Sequence, residues 1–74
     1  MLVREFNSFA RAYEGRNATL CDDCIQELTP ASQNMLAHYQ MVVVGSRMGV
    51  ECDGCRSVPH EKTTRIGFSP VPYN

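Results

Sequence analysis

The four cysteines fall into two pairs of identical spacing, Cys21-Asp22-Asp23-Cys24 and Cys52-Asp53-Gly54-Cys55. Two residues between cysteines permit a tight turn that aims both sulfurs at one point. Two such turns complete a tetrahedron around an ion about 2.3 Å from each sulfur. The pattern predicts that Cys21, Cys24, Cys52 and Cys55 hold one Zn²⁺ as thiolates. Four thiolates leave no open coordination position, so the ion is expected to be structural and not catalytic. A chain of 74 residues benefits from such a staple. It buries only about 60% of the surface that its unfolded form exposes, and metal binding adds directly to folding free energy.

The same residues would serve two disulfides, a redox pair or a rubredoxin-like iron site. The opening residues Met1-Leu2-Val3-Arg4-Glu5 meet charge at once and form no apolar signal region. The reading is therefore a cytoplasmic, reducing compartment, where disulfides rarely persist. Neither pair is expected to follow a strand of a βαβ unit, which argues against a redox pair. The aromatic core and the glycines after the cysteines that mark rubredoxin-like sites are missing. The ligand set alone does not separate zinc from iron. His38 and His60 are read as surface residues, since neither is spaced to replace a cysteine.

Between and around the pairs, periodicity predicts a small zinc-stabilised α+β domain over residues 1–68, with 69–74 an extended tail. Leu2, Val3, Phe6, Phe9, Ala10 and Tyr13 recur at helical steps, and Gly15-Arg16-Asn17 stops that helix. Cys21 to Leu28 opens a short helix, with Asp22 and Asp23 suited to the positive end of its dipole. Thr29 and Pro30 read as the cap and first residue of a further helix. Met35, Leu36, Tyr39, Val42 and Val43 share one helical face, so a central helix is expected over about 30–43. The valine run leaves strand open for its last turn. A zinc-turn hairpin is expected from about 50 to 68, with Gly54 supplying a positive φ and Lys62–Phe68 as the returning strand.

The two cysteine segments resemble parts of ZZ-type zinc fingers, which belong to the treble-clef family. There a Cys-Asp-x-Cys turn opens a hairpin, as Cys52-Asp53-Gly54-Cys55 would. A Leu-Cys-x-x-Cys opens a short helix, as Leu20-Cys21-Asp22-Asp23-Cys24 would. Here the helix-opening pair comes first, and the family's second metal site has no counterpart. The resemblance implies a permuted treble-clef-like or zinc-ribbon-like arrangement and carries no binding function with it.

Composition narrows the function. Seven basic residues face eight acidic ones, for a formal charge of −1. Four thiolates on one Zn²⁺ would bring it to about −3. Bulk positive charge is therefore no basis for nucleic-acid binding. The longest apolar run, Met41-Val42-Val43-Val44, is far too short to span a membrane. There is no glycine-rich phosphate loop, and Ser46 and Ser57 lack a nucleophile context. His60-Glu61 does not fit a deaminase signature, and Asp22-Asp23 reads as a solvated turn. No enzyme is expected.

Two readings remain. The first is a non-catalytic adaptor or inhibitor that binds a protein of regulatory or nucleic-acid machinery through apolar and methionine-bearing surface, with a homodimer as a variant. Stand-alone zinc chains of this size resemble small bacterial or phage regulators, including phage proteins that disable host systems. The second is a nucleic-acid-binding zinc ribbon, with Arg47, Arg56, Lys62 and Arg65 around the second zinc turn and Phe68 or Tyr73 stacking a base.

Overall fold

A computed structural model describes residues 1–57 and 61–72. Its elements run α1 (Val3–Ala12), β1 (Ala18–Leu20), α2 (Asp22–Ser32), β2 (Tyr39–Arg47) and β3 (Thr63–Pro70). The strands form one antiparallel sheet in the order β1-β3-β2. The architecture is thus α+β, with two helices and a three-stranded sheet.

α1 forms as its periodicity predicts. Phe6 and Ala10 are buried, and Val3, Phe9 and Tyr13 flank them on the same face. Phe6 and Phe9 both meet Phe68 of β3 edge-on, with ring centroids 6.0 and 5.8 Å apart. That geometry suits the quadrupoles of the rings. Gly15, at φ 82, turns the chain out of the helix. β1 follows with all three of its residues buried.

The central helix predicted over 30–43 does not form. α2 runs straight through Thr29-Pro30 and stops at Ser32. The Thr29 hydroxyl does not cap a new helix; it donates back to the Ile25 carbonyl at 2.6 Å. Pro30 sits in the last turn of α2, where its missing N–H removes the bond to the Gln26 carbonyl shortly before the helix stops at Ser32. Asn34 then closes a turn, accepting the Leu36 N–H on its side chain and the Ala37 N–H on its carbonyl.

From Tyr39 the chain is strand. Tyr39 pairs with Pro70 and Met41 with Phe68 on the face that bears the core, and Val43, opposite Ile66, continues that face where it opens to solvent. Tyr39 and Val43 are four residues apart, which also fits a helical stripe. The three consecutive valines and the long partner strand decide the matter in favour of sheet. A bulge falls at Val44, between the pairs Val43–Ile66 and Gly45–Arg65. The hairpin is accordingly longer than predicted. It spans β2 and β3, and the second cysteine pair lies in its connection. β3 runs to Pro70, and the Val71 N–H donates to the His38 carbonyl at 2.9 Å.

The core gathers Phe6, Ala18, Leu20, Leu28, Ala31 and Ile66 together with three of the four cysteines. Among the described residues, no helix is long and apolar enough to cross a membrane. Phe6 is completely buried, so Phe6→Ala should cost about 3–5 kcal/mol. For a domain of this size the melting temperature of the metal-loaded protein should fall by at least about 12 °C. Circular dichroism melts would check this, and an unchanged transition would remove Phe6 from the set of residues that hold the fold.

Candidate metal centre

The first cysteine pair is positioned by the junction of β1 and α2. Cys21 is the residue before the first turn of α2, and its carbonyl accepts the Ile25 N–H at 3.0 Å. Cys24 lies within that turn. Helix spacing therefore places both sulfurs at one helix end, beside the buried Leu20.

The second pair is a turn closed by the Arg56 N–H, which donates to the Cys52 carbonyl at 2.8 Å. Arg56 adopts φ 57, a left-handed conformation uncommon for a side chain of its size. The expected positive φ thus falls on Arg56 and not on Gly54. Gly54 is needed for a different reason. A Cβ there would stand 2.9 Å from the Cys24 sulfur and 3.3 Å from a Leu20 methyl. The glycine lets the two turns close on each other.

Four sulfurs result, all within 4.8 Å of one another, with those of Cys24 and Cys52 at 3.5 Å. A tetrahedron with metal–sulfur bonds of about 2.3 Å has sulfurs about 3.8 Å apart. The cluster matches that size and could hold one metal ion, consistent with a single structural zinc. The surrounding donors suit thiolates as well. The Cys52 sulfur accepts the backbone N–H groups of Cys21 and Gly54, each at 3.3 Å. Cys21, Cys24 and Cys52 are buried and Cys55 is exposed, its sulfur 3.0 Å from the Ser57 hydroxyl. No disulfide joins any of the four.

Asp53 binds the second turn to the sheet. Its N–H donates to the Thr19 carbonyl at 2.8 Å, and its carboxylate accepts the Thr19 N–H at 2.7 Å. Thr19 lies in β1, an outer strand, so Asp53 satisfies backbone groups that β3 does not reach. The sequence reading passed over this pair. No local signal marks the pair, because Asp53 and Thr19 are 34 residues apart and meet only in the folded chain. Tyr13 lies close by, with the Arg16 guanidinium 4.7 Å above its ring. Burial raises the pKa of the Tyr13 hydroxyl, and the Asp53 carboxylate adds to the rise against the opposing Arg56 and Arg16 charges.

The four basic residues singled out from sequence do not gather into one group. Arg47 pairs with Thr63 and Arg65 with Gly45, so these two arginines are diagonal neighbours across β2 and β3. Lys62 borders an open depression with Asp22, Asp23 and Glu61. Arg56 faces Tyr13. Phe68 is packed against Phe6 and Phe9. His38 is exposed at the entry to β2, and His60 and Tyr73 lie outside the described residues. Compared with family models, curated proteins and solved structures, the chain finds no match.

The thiols respond to burial. Cys24 has its pKa pushed far up, first by burial and then by the Cys52 and Cys21 sulfurs. At Cys21 the Cys24 backbone N–H is the strongest influence and favours the thiolate. Burial and the Cys52 thiol outweigh it, so the value is raised.

Two outcomes follow from this centre. Gly54→Ala should lower zinc affinity at least tenfold in competition with a chromophoric chelator, since its methyl group must displace the Cys24 sulfur. Parental affinity would mean that the turn shifts freely. The pH response should reverse with metal loading. In the metal-free fold, raised thiol pKa values keep the proton in the folded state. That stability is complete below the unfolded thiol value of about 8.5 and is lost as pH rises beyond it. In the loaded fold protons compete with the metal, so stability should fall as pH drops from about 7 toward 5. Melts across pH should show the loaded protein losing stability on the acid side and, with chelator, the metal-free protein losing it above about 8.5. Identical profiles would contradict the assignment.

Proposed function

We propose that this chain is a non-catalytic, zinc-stabilised binding module. It acts as an adaptor or inhibitor on a protein of regulatory or nucleic-acid machinery in the reducing cytoplasm. A permuted treble-clef-like arrangement, with the helix-opening pair first, describes its metal centre. The closed thiolate shell supports a structural role for the metal, since no coordination position is left for a substrate.

The observation that carries the binding role is β2. It is a nine-residue outer strand, paired among the described residues with β3 on one side only. Its centre is apolar and exposed: Val43 is 70% accessible, and Val42 and Val44 are exposed beside it. An outer strand of this length with exposed valines is a template for strand addition unless something covers it. β2 contains no acidic residue. Arg47 ends it and Arg65 stands diagonally beside that end. The fitting occupant is an extended partner strand with apolar residues opposite the valines and a carboxylate near Arg47. The nucleic-acid reading has weaker support, because Lys62 stands among acids.

The test begins with a partner recovered from source-cell extract, produced pure and titrated against the zinc-loaded protein. Val43→Glu should weaken binding at least tenfold through repulsion of that carboxylate-bearing strand, with zinc content and melting temperature unchanged. Equal binding by the variant would remove β2 as the docking edge. Sedimentation showing a dimer that Val43→Glu dissolves would make a second copy the occupant. Salt-sensitive binding to nucleic acid, with no protein partner, would favour the basic residues instead.

A further inference from the structure

A second candidate site lies at the other end of β2. Arg4, Asn7, Ser8 and Arg11 follow one another on α1 at steps of three, one and three, so they share one face of the helix. Across from them stand Leu36, His38 and Tyr39, and the space between is a cleft of about 530 Å³. That volume is in the range of small-molecule sites, and the cleft is open, with most of its lining side chains exposed.

Both walls are fixed. The Asn7 side-chain oxygen accepts the His38 N–H at 2.9 Å, which ties the helix to the approach to β2. The His38 carbonyl accepts the Val71 N–H from the far side, and the Asn34 turn sets the position of Leu36. The cleft is thus built from two separate stretches of chain, α1 and residues 36–39, joined by the Asn7–His38 hydrogen bond.

The lining is chemically one-sided. Among the described residues, two guanidiniums border it and no acidic side chain does. Arg4 and Arg11 are two turns apart, about 10 Å along the helix axis. Guanidinium forks pair with phosphate oxygens in a bidentate manner. Both side chains are long enough to close that gap onto adjacent phosphates, so the pair suits a ligand with more than one phosphate, and Ser8 lies between them on the helix. The opposite wall offers the half-buried ring of Tyr39 and the apolar Leu36, a surface for a planar ring.

We propose that this cleft binds a nucleoside diphosphate, with its phosphates on Arg4 and Arg11 and its base against Tyr39 and Leu36. The site is independent of the docking edge centred on Val43, and either can fail without the other.

The test is titration of ADP, inorganic pyrophosphate and adenosine into the zinc-loaded, full-length chain at low ionic strength, followed by amide chemical shifts. ADP should bind most tightly, pyrophosphate more weakly, and adenosine not measurably at millimolar concentration. The shifts should concentrate at residues 4–11 and 36–39. The double variant Arg4→Gln, Arg11→Gln changes only exposed side chains. It should retain zinc and melting temperature while losing at least tenfold in ADP affinity. No ADP binding at millimolar concentration, or equal binding by the double variant, would overturn the proposal. So would displacement of ADP by a single-stranded oligonucleotide that binds more tightly, since the cleft would then belong to a nucleic-acid surface.

Discussion

The convergence of four sulfurs from two distant segments is the constraint on which the rest of the molecule depends. Cys24 and Cys52 are 28 residues apart, yet their sulfurs lie 3.5 Å from each other. Three of the four cysteines belong to the same core as Leu20, Leu28 and Ile66. The metal centre is therefore not attached to a finished domain. It is part of the packed interior, and a chain this short has little other interior to rely on. Sheet, helix start and hairpin connection all terminate at this cluster.

A second layer of bonding makes the centre mechanically continuous with the sheet. Asp53 exchanges two hydrogen bonds with Thr19, so the cysteine turn behaves as a short extra strand on the open side of β1. The result is an asymmetry between the two outer strands. β1 is covered by the metal-binding turn, whereas β2 keeps its outer edge among the described residues. Proteins commonly blunt such edges with charge, proline or a bulge. Here the bulge at Val44 is the only one of these devices in the centre of β2, and the valines around it remain exposed.

What could be read from sequence depended on how local the deciding interaction was. The cysteine spacing was legible because ligand geometry is set within four residues. α1 was legible because its apolar stripe has one period and a clear glycine stop. The stretch after Pro30 was not, because Leu36, Tyr39 and Val43 satisfy a helical period while Tyr39, Met41 and Val43 satisfy the alternation of a strand. Only pairing with β3, more than twenty residues away, separates the two. Gly54 was singled out for conformational freedom, and its actual role is the room it leaves for the Cys24 sulfur, which depends on a contact between distant segments. The positive φ at Arg56 had no compositional signature at all.

The burial of three ligands and the exposure of the fourth also bear on how the ion would leave. Cys21, Cys24 and Cys52 are enclosed by the core, while the Cys55 sulfur stands at the surface beside Ser57. An incoming thiol, chelator or oxidant meets this one corner of the tetrahedron first. Exchange would then proceed by replacement of the Cys55 ligand, with the other three still in place. On that order, the lifetime of a bound ion would depend first on access to this one surface sulfur.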